Sequence, residues 1–233
     1  MTSPSRLADL RRFYDLLARL ESNLGEMRNL AKCSARSGWP ERGVYFFCEH
    51  GETRSGSGAG FRVVRVGTHA ITKGSKTKLW GRLAQHKGTA DLGGNNRGSV
   101  FRLLVGAALS AKDSNLSIPT WGKGRYSQAI RETEHLLETA VSRYIGSMPL
   151  LWLSIQDAPS PDSRRKYIER NSIALLSQAS LEQGLRIDPP SDSWLGLSCP
   201  HADVRRSGLW NCDHVNETYA PEFLDELEHH IPE

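Results

Sequence analysis

Three strand-length apolar runs constrain this chain more than any other feature. GVYFFC (Gly43 to Cys48) and FRVVRVGT (Phe61 to Thr68) are short, aromatic and β-branched, so each reads as a strand. MPLLWLSIQ (Met148 to Gln156) is continuously apolar at strand length, which suggests a central strand. Only EHGETRSGSGAG (Glu49 to Gly60), read as a flexible Gly/Ser-rich connection, separates the first two. They most simply form an antiparallel hairpin with a long loop. The spacing therefore predicts an α+β fold: a small, mainly antiparallel three-stranded sheet flanked by helices, with extra N-terminal and C-terminal helices.

Ser3-Pro4 sets an N-cap serine before a proline at the first helical position. Leu7, Leu10, Phe13, Leu17, Leu20 and Leu24 then recur at steps of three and four until Gly25. A loop or short helix follows to Pro40, and KTKLWGRLAQHK (76–87) reads as a basic helix. SVFRLLVGAALSA (Ser99 to Ala111) reads as a buried helix, although its composition also suits a strand. Further helices are predicted over about 127–146, from Ser160-Pro161-Asp162 to about Gly184, and near 219–230. With no internal repeat and no clear linker, residues 1–233 read as one elaborated domain. It divides into an N-terminal helical extension (1–41), a core (42–215) and a C-terminal helix (216–233).

Charge locates a surface. The net charge of +4 averages unlike regions. Residues 54–131 carry fourteen Lys and Arg against two acids, a net +12, while residues 187–233 carry a net −8. Such a central basic segment suggests a localised polyanion-binding surface, and a solvated basic face is the plainer alternative. Arg outnumbers Lys 22 to 8, and the guanidinium is the better bidentate phosphate ligand. No apolar stretch is long enough for a transmembrane helix, and the N-terminus lacks a signal core. Four cysteines make no disulfide framework, which implies a reduced, cytoplasmic protein.

Strand alternation puts Arg65, Gly67 and His69 on one face and Val64, Val66 and Thr68 on the other. If the hairpin aligns these with Tyr45 and Phe47, Tyr45 lies near Arg65 and His69. Arg82 and His86, at i and i+4, share a helix face that Lys78 extends. Such a pair suits a phosphate and a proton relay, or else is a solvated basic stripe. Glu169 falls in line with Ile173 and Leu176, so its carboxylate must be paired, protonated or metal-bound. A salt bridge to Arg165 is the simplest pairing.

In order, these pieces resemble the GIY-YIG nuclease family. The carriers are Gly43-Val44-Tyr45, Arg65-Val66-Gly67, Arg82 to His86, Glu169 within YIERNSIALLS, and Asn211 within SGLWNCDHV. RVVRVGTHA, KLWGRLAQHKG and RGSVFR look like a bacterial, restriction-like branch, and the resemblance covers residues 42–215. It departs at Arg65, where the family's second signature usually has tyrosine. Either Arg65 binds the phosphate instead, with His69 or Thr68 supplying the missing hydrogen bond, or activity is changed.

The resemblance implies a metal-dependent DNA endonuclease, possessing one Mg²⁺ or Mn²⁺ on Glu169. Tyr45 would orient or activate water, with Arg82 and His86 assisting a phenol whose reference pKa is about 10. Arg82 would also stabilise the phosphate, and Asn211 would orient water or substrate. Products would end in a 5′-phosphate and a 3′-hydroxyl. Arg65, His69, Lys78, Arg97, Lys123 and Arg125 are the expected contacts to double-stranded DNA. Restriction or defence is one expected setting, with repair or mobile-element processing as the alternatives, and cutting both strands with one site per chain favours a homodimer. The alternative is a catalytically weak nucleic-acid-binding module on the same fold.

Other features read as structural. Cys199, His201, Cys212 and His214 are competent zinc ligands, but their C-x-H spacing is too tight, so they read as loop residues. Glu134 and Glu138 read as a solvated helix face, and the tryptophans mainly as packing residues.

Overall fold

The computed structural model describes residues 4–125, 127–179, 181 and 186–232. Ser3, the expected first N-cap, and residues 180 and 182–184 of the helix expected to reach Gly184 lie outside the described residues. The strands are β1 (Arg28–Asn29), β2 (Gly43–Thr53), β3 (Phe61–Gly67) and β4 (Pro149–Ser154). They form one antiparallel sheet of order β1-β4-β2-β3, so the sheet has four strands rather than three. The additional strand is two residues long, pairs Arg28 with Leu150, and is too short to show an alternation in sequence.

The helices are α1 (Pro4–Leu24), α2 (Leu79–Lys87), α3 (Val100–Lys112), α4 (Gln128–Ser147), α5 (Arg164–Leu176), α6 (Ala202–Ser207) and α7 (Phe223–His229). The Ser99 run is thus a helix, N-capped by the Ser99 hydroxyl on the Arg102 N–H. α5 starts later than Ser160-Pro161-Asp162 suggests, because Ser163 supplies the cap, and ends at Leu176. No helix among the described residues is long and apolar enough to cross a membrane.

β2 and β4 are buried on both faces, which explains their continuous apolar runs. Val44, Phe46, Leu151 and Leu153 meet α1, α5 and α7 on one face. Tyr45, Phe47, Leu150 and Trp152 meet α2, α3 and α4 on the other. Phe13 of α1 reaches Phe46 at 5.9 Å and Phe223 at 6.4 Å, so both terminal helices complete the first core. The alternation expected along β3 fails at one point. Phe47 pairs with Arg65 but Cys48 pairs with Val63, so Val64 is an extra, bulged residue. It packs with Tyr45, while Val63 and Val66 enter the opposite core.

The Gly/Ser connection is anchored. β2 continues through Glu49 to Thr53, and the N–H groups of Ser55, Gly56 and Ser57 all donate to Asp188 Oδ1 at 2.7–3.0 Å. Glu134 and Glu138 are buried, not solvated. Glu134 bonds Arg97 at 2.7 Å, and Glu138 bonds Arg102, whose guanidinium is wholly buried. Their partners Arg97 and Arg102 come from other elements, so the sequence of α4 alone does not reveal the pairing.

Candidate active site

Strand pairing, a helix and a cap fix the position of Tyr45. In the β2–β3 register Tyr45 lies opposite Gly67. A Cβ on Gly67 would lie 2.3 Å from the Tyr45 hydroxyl, so this glycine makes room for the ring. The hydroxyl lies 2.8 Å from His86 Nε2 on α2, and His86 Nδ1 lies 2.8 Å from Ser99 Oγ. His86 is fully buried. Desolvation first, then Arg65, Arg82 and Arg102, hold its imidazole neutral, well below the usual histidine value. A neutral ring carries one N–H, so the tyrosine, imidazole and serine form a directional chain. The family motif marks Tyr45 and His86, whereas Ser99 is visible in sequence only as a helix cap.

Glu169 enters the same cleft from α5. Its Oε1 accepts from the Thr68 N–H at 3.1 Å, and its Oε2 from Lys166 Nζ at 2.8 Å. The cation expected here, Arg165, is elsewhere: it is buried, bonds Asp157, and donates to the His69 carbonyl. Lys166 lies at i−3 from Glu169, so the pairing was within reach of helix spacing. Lys166 Nζ also meets His214 Nε2 at 2.8 Å.

A cleft of ≈ 170 Å³ brings together Tyr45, Arg65, Arg82, Glu169 and Asn211, five of the six expected catalytic residues. His86 lies immediately behind Tyr45. Arg65 is buried, stacks its guanidinium carbon 4.7 Å from the Phe101 ring centroid, and donates to the Trp210 carbonyl. Burial lowers its pKa, opposed by Tyr45 and Glu169. Arg82 is half-buried and donates to Gln85 and to the Gly98 carbonyl at 3.1 Å. Asn211 accepts from the Val66 N–H at 3.2 Å and donates to the Val66 carbonyl at 2.9 Å. With the Trp210 N–H bonded to the Val64 carbonyl, it covers the free edge of β3.

The other expected DNA contacts divide. Lys78, Lys123 and Arg125 are exposed. Arg97 is turned inward, donating to Glu134 and to the Gly124 and Thr120 carbonyls, and holds the loop before α4. His69 is buried, its Nδ1 3.0 Å from the Thr77 carbonyl, and burial beside Arg165 lowers its pKa to about 4. Thr68 Oγ1 donates to the Gly43 carbonyl at 2.9 Å.

The donor set suits a hard divalent ion. Glu169 offers a carboxylate at the cleft wall and Asp213 lines the same cleft. Among the described residues, no three His, Cys, Asp or Glu side chains are grouped to hold a metal. An ion here would keep waters and use few carboxylates, which is how Mg²⁺ binds. Cys199 is buried against the Leu104 carbonyl, His201 is exposed, and His214 bonds Lys166 and, at 2.8 Å, Glu217. Burial raises the Cys212 thiol to about 11.

A family model described as a GIY-YIG domain matches residues 4–233. No curated protein and no solved structure matches the chain.

Proposed function

The chain belongs to the GIY-YIG family, a fold of nuclease-type function, and from its cleft we propose a metal-dependent DNA endonuclease. The observation that carries this reading is the convergence of Tyr45, Arg65, Arg82 and Glu169 on one cleft, with Tyr45 bonded to a neutral His86.

In the productive tautomer the Tyr45 hydroxyl donates to His86 Nε2, and His86 Nδ1–H donates to Ser99 Oγ. The Tyr45 oxygen, with the Arg65 guanidinium against it, then orients an attacking water and takes its proton, passing its own to His86. Burial and the nearby arginines disfavour a positive charge on the imidazole, so His86 starts neutral and holds the Tyr45 proton only transiently. Arg82 and Arg65 place positive charge at the cleft, where a phosphate gains negative charge in the transition state. Glu169 would hold the Mg²⁺ or Mn²⁺, which supplies Lewis-acid stabilisation when bound. Asn211 acts as a positioning residue by closing the edge of β3 against the cleft. Lys78, Lys123 and Arg125 contact the DNA backbone. A restriction or defence role fits a compact enzyme of this kind.

Mg²⁺-dependent plasmid cleavage by Glu169→Ala and Tyr45→Phe tests the assignment. Each should lose most cleavage while still binding DNA. Normal cutting by Glu169→Ala overturns the metal assignment.

A further inference from the structure

Glu169 is not left bare in this cleft. Its side chain is only 14% exposed, yet both oxygens are bonded: Oε1 by the Thr68 N–H, and Oε2 by Lys166 Nζ at 2.8 Å. Lys166 therefore neutralises a carboxylate that would otherwise be costly to hold in a half-buried cleft. It also fixes the rotamer, since Thr68 and Lys166 grip opposite oxygens.

Lys166 has a second partner. Its Nζ lies 2.8 Å from His214 Nε2. An ammonium is donor-only, so His214 Nε2 accepts, and the imidazole donates from Nδ1 to Glu217 Oε1 at 2.8 Å. Glu217 is held in turn by Arg170 at 2.5 Å. The lysine head is thus suspended between the carboxylate and an anchored imidazole. His214 is a non-glycine residue at φ 64, a conformation that needs surrounding contacts to hold it.

We infer that Lys166 is the resident counter-ion of Glu169, displaced onto His214 when a divalent metal takes Glu169 Oε2. The inference rests on the metal role proposed for Glu169. A dication and an ammonium repel strongly at contact distance from one carboxylate oxygen, so the two compete for it. The His214 bond keeps the displaced ammonium at the wall of the cleft that both residues line. Lys166 is a positioning residue that sets the metal concentration the site requires.

Mn²⁺ binding to the full chain without DNA, read by the electron paramagnetic resonance of free Mn²⁺, tests this. Lys166→Met should bind Mn²⁺ about tenfold more tightly than the wild type, because the competing charge is gone. Lys166→Arg, which keeps the charge, should stay within about threefold. Mn²⁺ should also raise the melting temperature of Lys166→Met more than that of the wild type. Equal or weaker binding by Lys166→Met, with binding abolished in Glu169→Gln, overturns this inference alone. Unaltered binding by Glu169→Gln overturns the metal role of Glu169 and this inference with it.

Discussion

Replacing Gly67 with alanine should damage both stability and cleavage, against the ordinary sign of that substitution. Gly67 sits at the end of β3 without a positive φ, so alanine meets no backbone strain. Removing a glycine from a strand would normally stabilise by roughly 0.5–1 kcal/mol. Here the new Cβ would lie 2.3 Å from the Tyr45 hydroxyl oxygen, 2.4 Å from Cζ and 2.7 Å from Cε2. Ordinary carbon contacts start near ~3.5 Å, so the ring must move by about 1 Å. It has no exit: Tyr45 is 1% exposed, with Phe47 at 5.7 Å and His86 at 5.6 Å between ring centroids. Overpacking of this kind costs roughly 1–3 kcal/mol. A displacement of about 1 Å would break the 2.8 Å bond to His86 and cost on the order of 100-fold in rate. Urea melts and single-turnover plasmid nicking read the two effects. In a Tyr45→Ala background the same substitution should be harmless to stability. A Gly67→Ala protein with wild-type stability and cleavage within about twofold would refute the steric argument.

Ser99→Ala should cost about 1 kcal/mol through the lost α3 cap and slow cleavage on the order of tenfold, with Ser99→Thr restoring both in melts and nicking assays. Glu138→Ala should destabilise by roughly 3–5 kcal/mol, read from the urea midpoint, because it strands the buried Arg102 guanidinium. Acid should weaken the fold. The unfolded chain protonates its histidines near pH ~6.5, whereas folded His69 stays neutral to about 4 and the His86 imidazole is likewise held well below the usual histidine value. The unfolded state therefore binds more protons below about pH 6.5, and stability is lost as pH falls through that window. Discounted for screening, His69 contributes on the order of 1–2 kcal/mol between pH 7 and 5, measurable by urea denaturation at the two values.

Much of the fold was legible because the signals were local. The apolar stripe of α1 and the three long strands each fill a window that periodicity can read. β1 has two residues and therefore no period, so its pairing with β4 depends wholly on tertiary contact. Tyr45 and Glu169 carried their meaning in motif order. The burial of His86 did not, because α2 alone puts it beside a half-exposed Arg82, and the aromatic wall of Phe47 and Phe101 comes from other elements. The pairing of Arg97, expected as a DNA contact, is hidden for the same reason: Glu134, its partner, lies 37 residues away. Lys166 is harder still to single out from sequence, since it and Arg165 are adjacent on one helix. Only the side-chain directions distinguish the residue that meets Glu169 from the one that straps the His69 turn.

The most direct test incubates the purified chain with supercoiled plasmid and Mg²⁺ or Mn²⁺, with a chelator control. Metal-dependent nicking is expected, with 5′-phosphate and 3′-hydroxyl ends at the cut. DNA binding without nicking under either metal would contradict it and favour the catalytically weak binding module that Arg65 at the tyrosine position suggests.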